Sequence, residues 1–135
     1  MTVALLNPEG LFKPDSYYQV AIAKGTRLVF LSGQVAQDPT GAVIGKGDLA
    51  AQSEQAYRNV LAALEGAGAS FSDVVKMTVY VVDWHPAKME PLVQGAMRVA
   101  GELGFDPRRT MTLIGVSALG TPDLLIEVEA VAVID

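Results

Sequence analysis

The chain has 135 residues, half of them hydrophobic and 19% charged, with a formal net charge of −5. That is the balance of one folded domain, spanning 1–135, and its acidity argues against a nucleic-acid partner, whose phosphates need cations. Cysteine is absent and His85 is the single histidine, which excludes disulfides, thiolate catalysis and a multi-histidine metal site.

The first residues, MTVALLNPEGLFKP, carry no positive region ahead of an apolar core, so no signal peptide is expected. No apolar run reaches the length of a membrane span. The expectation is a cytoplasmic protein without a membrane partner.

Residues 7–18 read as an irregular leader with two prolines and a glycine. Two apolar runs, 19–24 and 27–35, flank Gly25-Thr26 and predict a hairpin. The run Val29-Phe30-Leu31 predicts a strand covered on both faces. Turn chemistry follows at DPTG, 38–41. Residues 48–68 give the clearest signal. Leu49, Ala56, Val60, Leu64 and Ala67 recur at helical spacing, with Gln52, Gln55, Arg58, Asn59 and Glu65 mostly on other faces. Asp48 is placed to cap this helix, and Gly66 or Gly68 to end it.

A strand over 74–82 turns Val75, Met77, Val79 and Val81 to one face. A second helix runs to about Leu103, with Leu92, Val93, Ala96, Ala100 and Leu103 inward and Pro91 tolerated in its first turn. Two final strands cover 109–117 and 124–134. The order ββαβαββ predicts an α+β fold, a mixed sheet with both helices on one face.

Motifs for chemistry are few. GAVIGKG at 41–47 has a phosphate loop's look, but its glycine spacing is one residue short and no Ser or Thr follows the lysine. Glu127 and Glu129 project from one face of the last strand, roughly 7 Å apart. Their neighbours are apolar, so each needs a cation or several donors, or water on that face.

SGQVAQDPTG at 32–41, LEGAGAS closing the first helix, DVVKMTVYVVD and the terminal IEVEAVAVI resemble the Rid (YjgF-like) family over nearly the whole chain. The resemblance implies a chorismate-mutase-like fold and a homotrimer with a small-molecule cleft between adjacent subunits. It further implies hydrolysis of reactive 2-imino and enamino acids to 2-oxo acids and ammonia, with no metal and no cofactor. Some members have been called translation-inhibiting endoribonucleases, a role the acidic charge does not favour.

Carried over by residue, Tyr17, Ser32 with Gly33, and Glu127 stand where the family has a site tyrosine, a strand-end Ser-Gly and an acid near the reacting water. The family's second-helix asparagine falls on Pro91, which has no amide. Its carboxylate-binding arginine falls on Met111 when Gly115-Val116 are aligned, and on Arg109 when PRRT at 107–110 is aligned. Arg109 and Met111 share strand parity, so the guanidinium of Arg109 is expected to reach the cleft, with Arg108 facing away. Arg109 and Glu127 are the catalytic candidates; Tyr17, Ser32, Gly33 and Met111 are the ligand-binding ones. Three readings stay open: an imine deaminase with an atypical site, a trimeric metabolite-binding protein without catalysis, and an unrelated structural or interaction domain.

Overall fold

In the computed structural model, residues 3–135 are described. They form β1 (Val3–Leu6), β2 (Val20–Ala23), β3 (Arg27–Phe30), β4 (Gln34–Val35), α1 (Leu49–Gly66), β5 (Val74–Val82), α2 (Met89–Leu103), β6 (Met111–Val116) and β7 (Ile126–Ile134). The main sheet runs β3-β7-β5-β6, with β4 also on β7. Strand β7 is antiparallel to β3, β4 and β5, while β5 and β6 are parallel, bridged by α2. This is the expected α+β arrangement of chorismate-mutase type, two helices packed on one face of a mixed sheet.

Alternation along the central strands builds the core. Met77, Val79 and Val81 of β5 and Ile126, Val128, Ala130 and Ala132 of β7 are buried beneath Val60 and Leu64 of α1 and Val99 of α2. Asp48 caps α1 as expected, its Oδ1 accepting from the Ala51 N–H at 3.0 Å. The helical face is wider than the apolar residues indicate. Gln52, expected outside, is fully buried: its amide donates to the Asp123 and Gly45 carbonyls and accepts from Leu125 N–H. Ser53 Oγ donates to the Leu92 carbonyl at 2.7 Å, tying α1 to α2.

Four further expectations are corrected. The hairpin across Gly25-Thr26 does not form: β2 pairs with β1, and β3 pairs with β7. Gly25 sits where any Cβ would meet Val133 Cγ1 at 2.5 Å, so it marks a close backbone approach rather than a turn. The run 27–35 is two strands broken at 31–33, and Phe30 is 71% exposed rather than covered. In the second helix Leu103 and Val93 are exposed, while Gly95 and Val99 are buried. A bulge between Val74 and Lys76 turns Val74 inward and leaves Val75 half-buried.

The sheet's other face is open. Phe30 pairs with Val131, and Ile114 with Tyr80, so these residues share that face with Glu127 and Glu129. Among the described residues, no helix is long and apolar enough to cross a membrane.

Candidate functional site

One part of the site lies where β4 meets β7. Val35 pairs with Glu127, and Gln34 with Val128. The Glu127 side chain lies directly over Gly33, where a Cβ would come within 1.9 Å of its Oε2. Only glycine allows that approach, which gives the Ser-Gly pair its physical meaning. Ser32 is exposed, and its carbonyl accepts from the Gln34 amide at 3.2 Å. The two glutamates differ in their engagement. Tyr80 Oη donates to Glu129, and that bond raises the tyrosine's pKa. Glu127 makes no hydrogen bond or ion pair among the described residues and stands half-buried on the open face.

The second part is a cavity of about 610 Å³ between α2, the start of β6 and the segment 15–19. Tyr17 and Met111 line it, as do Asp15, Asp106 and Arg108. Tyr18 N–H donates to the Arg109 carbonyl at 3.1 Å, fastening the leader segment to the head of β6 and placing Tyr17 on the wall.

The two arginines divide differently from the parity argument. Arg109 precedes β6, so strand alternation does not govern it. Its side chain is buried, with Nε donating to the Phe71 carbonyl at 3.1 Å and Nη1 to the Arg108 carbonyl at 2.7 Å. The guanidinium carbon lies 5.2 Å from the Phe71 ring centroid, and burial lowers the group's pKa. Arg108, expected to face away, is on the cavity wall. Its Nε and Nη2 fork onto Asp106 at 3.0 and 2.8 Å, and its guanidinium lies 5.2 Å from the Tyr18 ring centroid. That pairing holds Asp106 below the usual carboxylate range.

The two parts do not meet within one chain. Met111 pairs with Met77, which is buried toward the helices. Glu127 pairs with Tyr80 on the open face. Strand β5 lies between β6 and β7, a lateral separation of about 10 Å.

Of the residues expected from the sequence, Tyr17 and Met111 lie on the cavity wall and Gly33 and Glu127 meet where β4 joins β7, while Arg108, Asp106 and Asp15 on that wall were not expected there. Signals for these were weak. DPRR at 106–109 carries the ion pair, and Met89, Val93 and Met97 recur every four residues along the cavity side of α2.

The family model described as Endoribonuclease L-PSP matches residues 12–134. The chain belongs to this family, which is the Rid family. A RutC family protein of Pyrococcus horikoshii is 39% identical over 121 residues, 89% of each chain. The 2-iminobutanoate/2-iminopropanoate deaminase of Salmonella typhimurium is 36% identical over 107 residues, 78% of this chain and 79% of that one. The Rid protein YyfB of Yersinia pestis superposes with a TM-score of 0.87 at 35% identity, covering 99% of this chain and 100% of its own. Escherichia coli TdcF with bound serine gives 0.70 at 26% identity, covering 100% and 99%. Rid-type function in general follows from this kinship.

Proposed function

We propose that this chain is a homotrimeric Rid deaminase that hydrolyses 2-imino or enamino acids in a cleft shared by two subunits. The observation that carries this reading is the separation of two half-sites by the sheet. Glu127 with Ser32-Gly33 stands on the open face, and the cavity of Tyr17, Met111 and Arg108 lies on the helix side. A second copy completes a site that one chain leaves split. Exposed Leu28, Phe30 and Ile114 supply apolar surface for such an association.

The chemistry needs few parts. Glu127 takes a proton from water as the oxygen attacks the C=N carbon, giving a tetrahedral carbinolamine. The nitrogen is protonated and leaves as ammonia while the carbonyl forms. Groups at the Ser32-Gly33 strand end orient the imine. An arginine fork grips the carboxylate, which lysine cannot imitate. Arg108 is the fork that reaches the cavity. Arg109 acts through it, holding the head of β6 by its bonds to the Phe71 and Arg108 carbonyls.

Support comes also from the relatives: one carries the name of an imine deaminase, and another holds serine, a small carboxylate ligand. Pro91, which brings no amide, and the thioether of Met111 favour the second reading, a binding protein without catalysis. The assay generates imino acids in situ with an amino-acid oxidase and follows 2-oxo acid formation. Acceleration by the wild type and its loss in Glu127→Gln support the deaminase. Wild type that leaves the rate unchanged removes it.

A further inference from the structure

The cavity between α2 and β6 has an uneven wall. Its buried side is apolar, with Val79 and Leu92 nearly inaccessible. Along α2, Met89 and Met97 flank it with unbranched thioethers that adapt to varied shapes. Its mouth carries Arg108, Asp106 and Asp15. Such a site, apolar within and charged at one end, orients an amphipathic small molecule.

The charged end is specific in its chemistry. Asp106 occupies one edge of the Arg108 guanidinium through Nε and Nη2. Nη1 makes no hydrogen bond among the described residues, so the end-on edge is free for a ligand carboxylate. Stacking on Tyr18 fixes the plane of that fork. Asp15 is a second carboxylate on the same rim and suits a ligand N–H. The head that fits carries both a carboxylate and a nitrogen donor.

The inner wall also holds the Tyr57 side chain, 4% exposed, whose ring adds to the apolar surface there.

We propose that the site selects 2-imino acids with large apolar side chains, of leucine, methionine or phenylalanine size. The side chain enters between α2 and β6, and the carboxylate lies on Arg108. This rests on the deaminase reading and names its substrate class. The smallest imino acids would leave the apolar wall uncovered and forgo the transfer of a large side chain out of water.

Binding and turnover separate the two claims. Calorimetry on the wild type with the stable products pyruvate, 4-methyl-2-oxopentanoate and phenylpyruvate reads the ligand class directly. The larger two are expected to bind at least about tenfold more tightly than pyruvate. Val93→Trp, at an exposed position on the cavity rim, should narrow that ratio, and circular dichroism checks that the variant is folded. Pyruvate binding as tightly as phenylpyruvate, or a ratio unmoved by Val93→Trp, overturns the inference. Equal hydrolysis of small and large imines also overturns it while leaving the deaminase intact. Selective binding of the large 2-oxo acids with no imine hydrolysed supports the ligand class and removes the reaction.

Discussion

The carboxylate of Glu127 rests on the backbone of Gly33, so closely that a methyl group there would overlap Oε2 at 1.9 Å. Two segments almost a hundred positions apart are joined at this point through the pairing of β4 with β7. The glycine therefore sets where the carboxylate points.

Gly33→Ala should displace Glu127 and lower kcat for imine hydrolysis by about tenfold or more, since an acid moved by an ångström loses its reach to the water. The displaced group is the end of a flexible, half-exposed side chain, so the stability cost should stay under about 1 kcal/mol. Kinetics and denaturant melts on the same sample check both. Unchanged kcat would show that Glu127 is not held by this contact.

The first helix should dominate stability. Leu64 is fully buried, and Leu64→Ala should cost about 2–5 kcal/mol by emptying its site. Arg58 pairs with Glu54 and Glu102 at the surface, and Arg58→Ala should cost under about 1 kcal/mol. Equal losses in urea melts would mean that the packed face is assigned wrongly.

Acid stability should depend on the turn at Asp38. The Thr40 hydroxyl, then the Ala42 and Thr40 N–H groups, bond its carboxylate and lower its pKa from 3.8. A depressed folded pKa means stability that is fully present above the unfolded value and lost as pH falls through the folded one. Asp38→Asn should therefore be less stable than wild type near neutrality, and the difference should shrink below pH 3.8. Thermal melts across that range give the comparison, and parallel curves would contradict it.

The assembly has its own test. Light scattering after size exclusion should give about three times the 14.2 kDa chain mass. Phe30, 71% exposed on the open sheet face, should be covered in the trimer. Phe30→Glu should yield folded monomer. A wild-type monomer at micromolar concentration would end the trimer proposal.

Periodicity made the helices and the β5 and β7 strands legible, because each buries one continuous stripe. It failed where polar residues go inside for their hydrogen bonds, as Gln52 does to satisfy the backbone around 123–125. It failed also at Gly25, because a close approach to a strand distant in sequence looks locally like a turn. At the site, Tyr17, Gly33, Met111 and Glu127 came from resemblance to a family. The division between Arg108 and Arg109 did not, since it depends on the point where β6 begins, one residue beyond Thr110. Alternation applied two residues early placed the two guanidinium groups the wrong way round.

The central claim is that the reacting site combines Glu127 of one subunit with the Arg108 cavity of another. It is tested most directly by mixing two variants inactive for complementary reasons, Glu127→Gln and Arg108→Ala, and refolding them together. Random assembly of equal amounts leaves about a quarter of the clefts with both half-sites intact, so imine hydrolysis should return to roughly a quarter of the wild-type rate. Activity no greater than the sum of the separate variants would place the whole site within one chain and contradict the account.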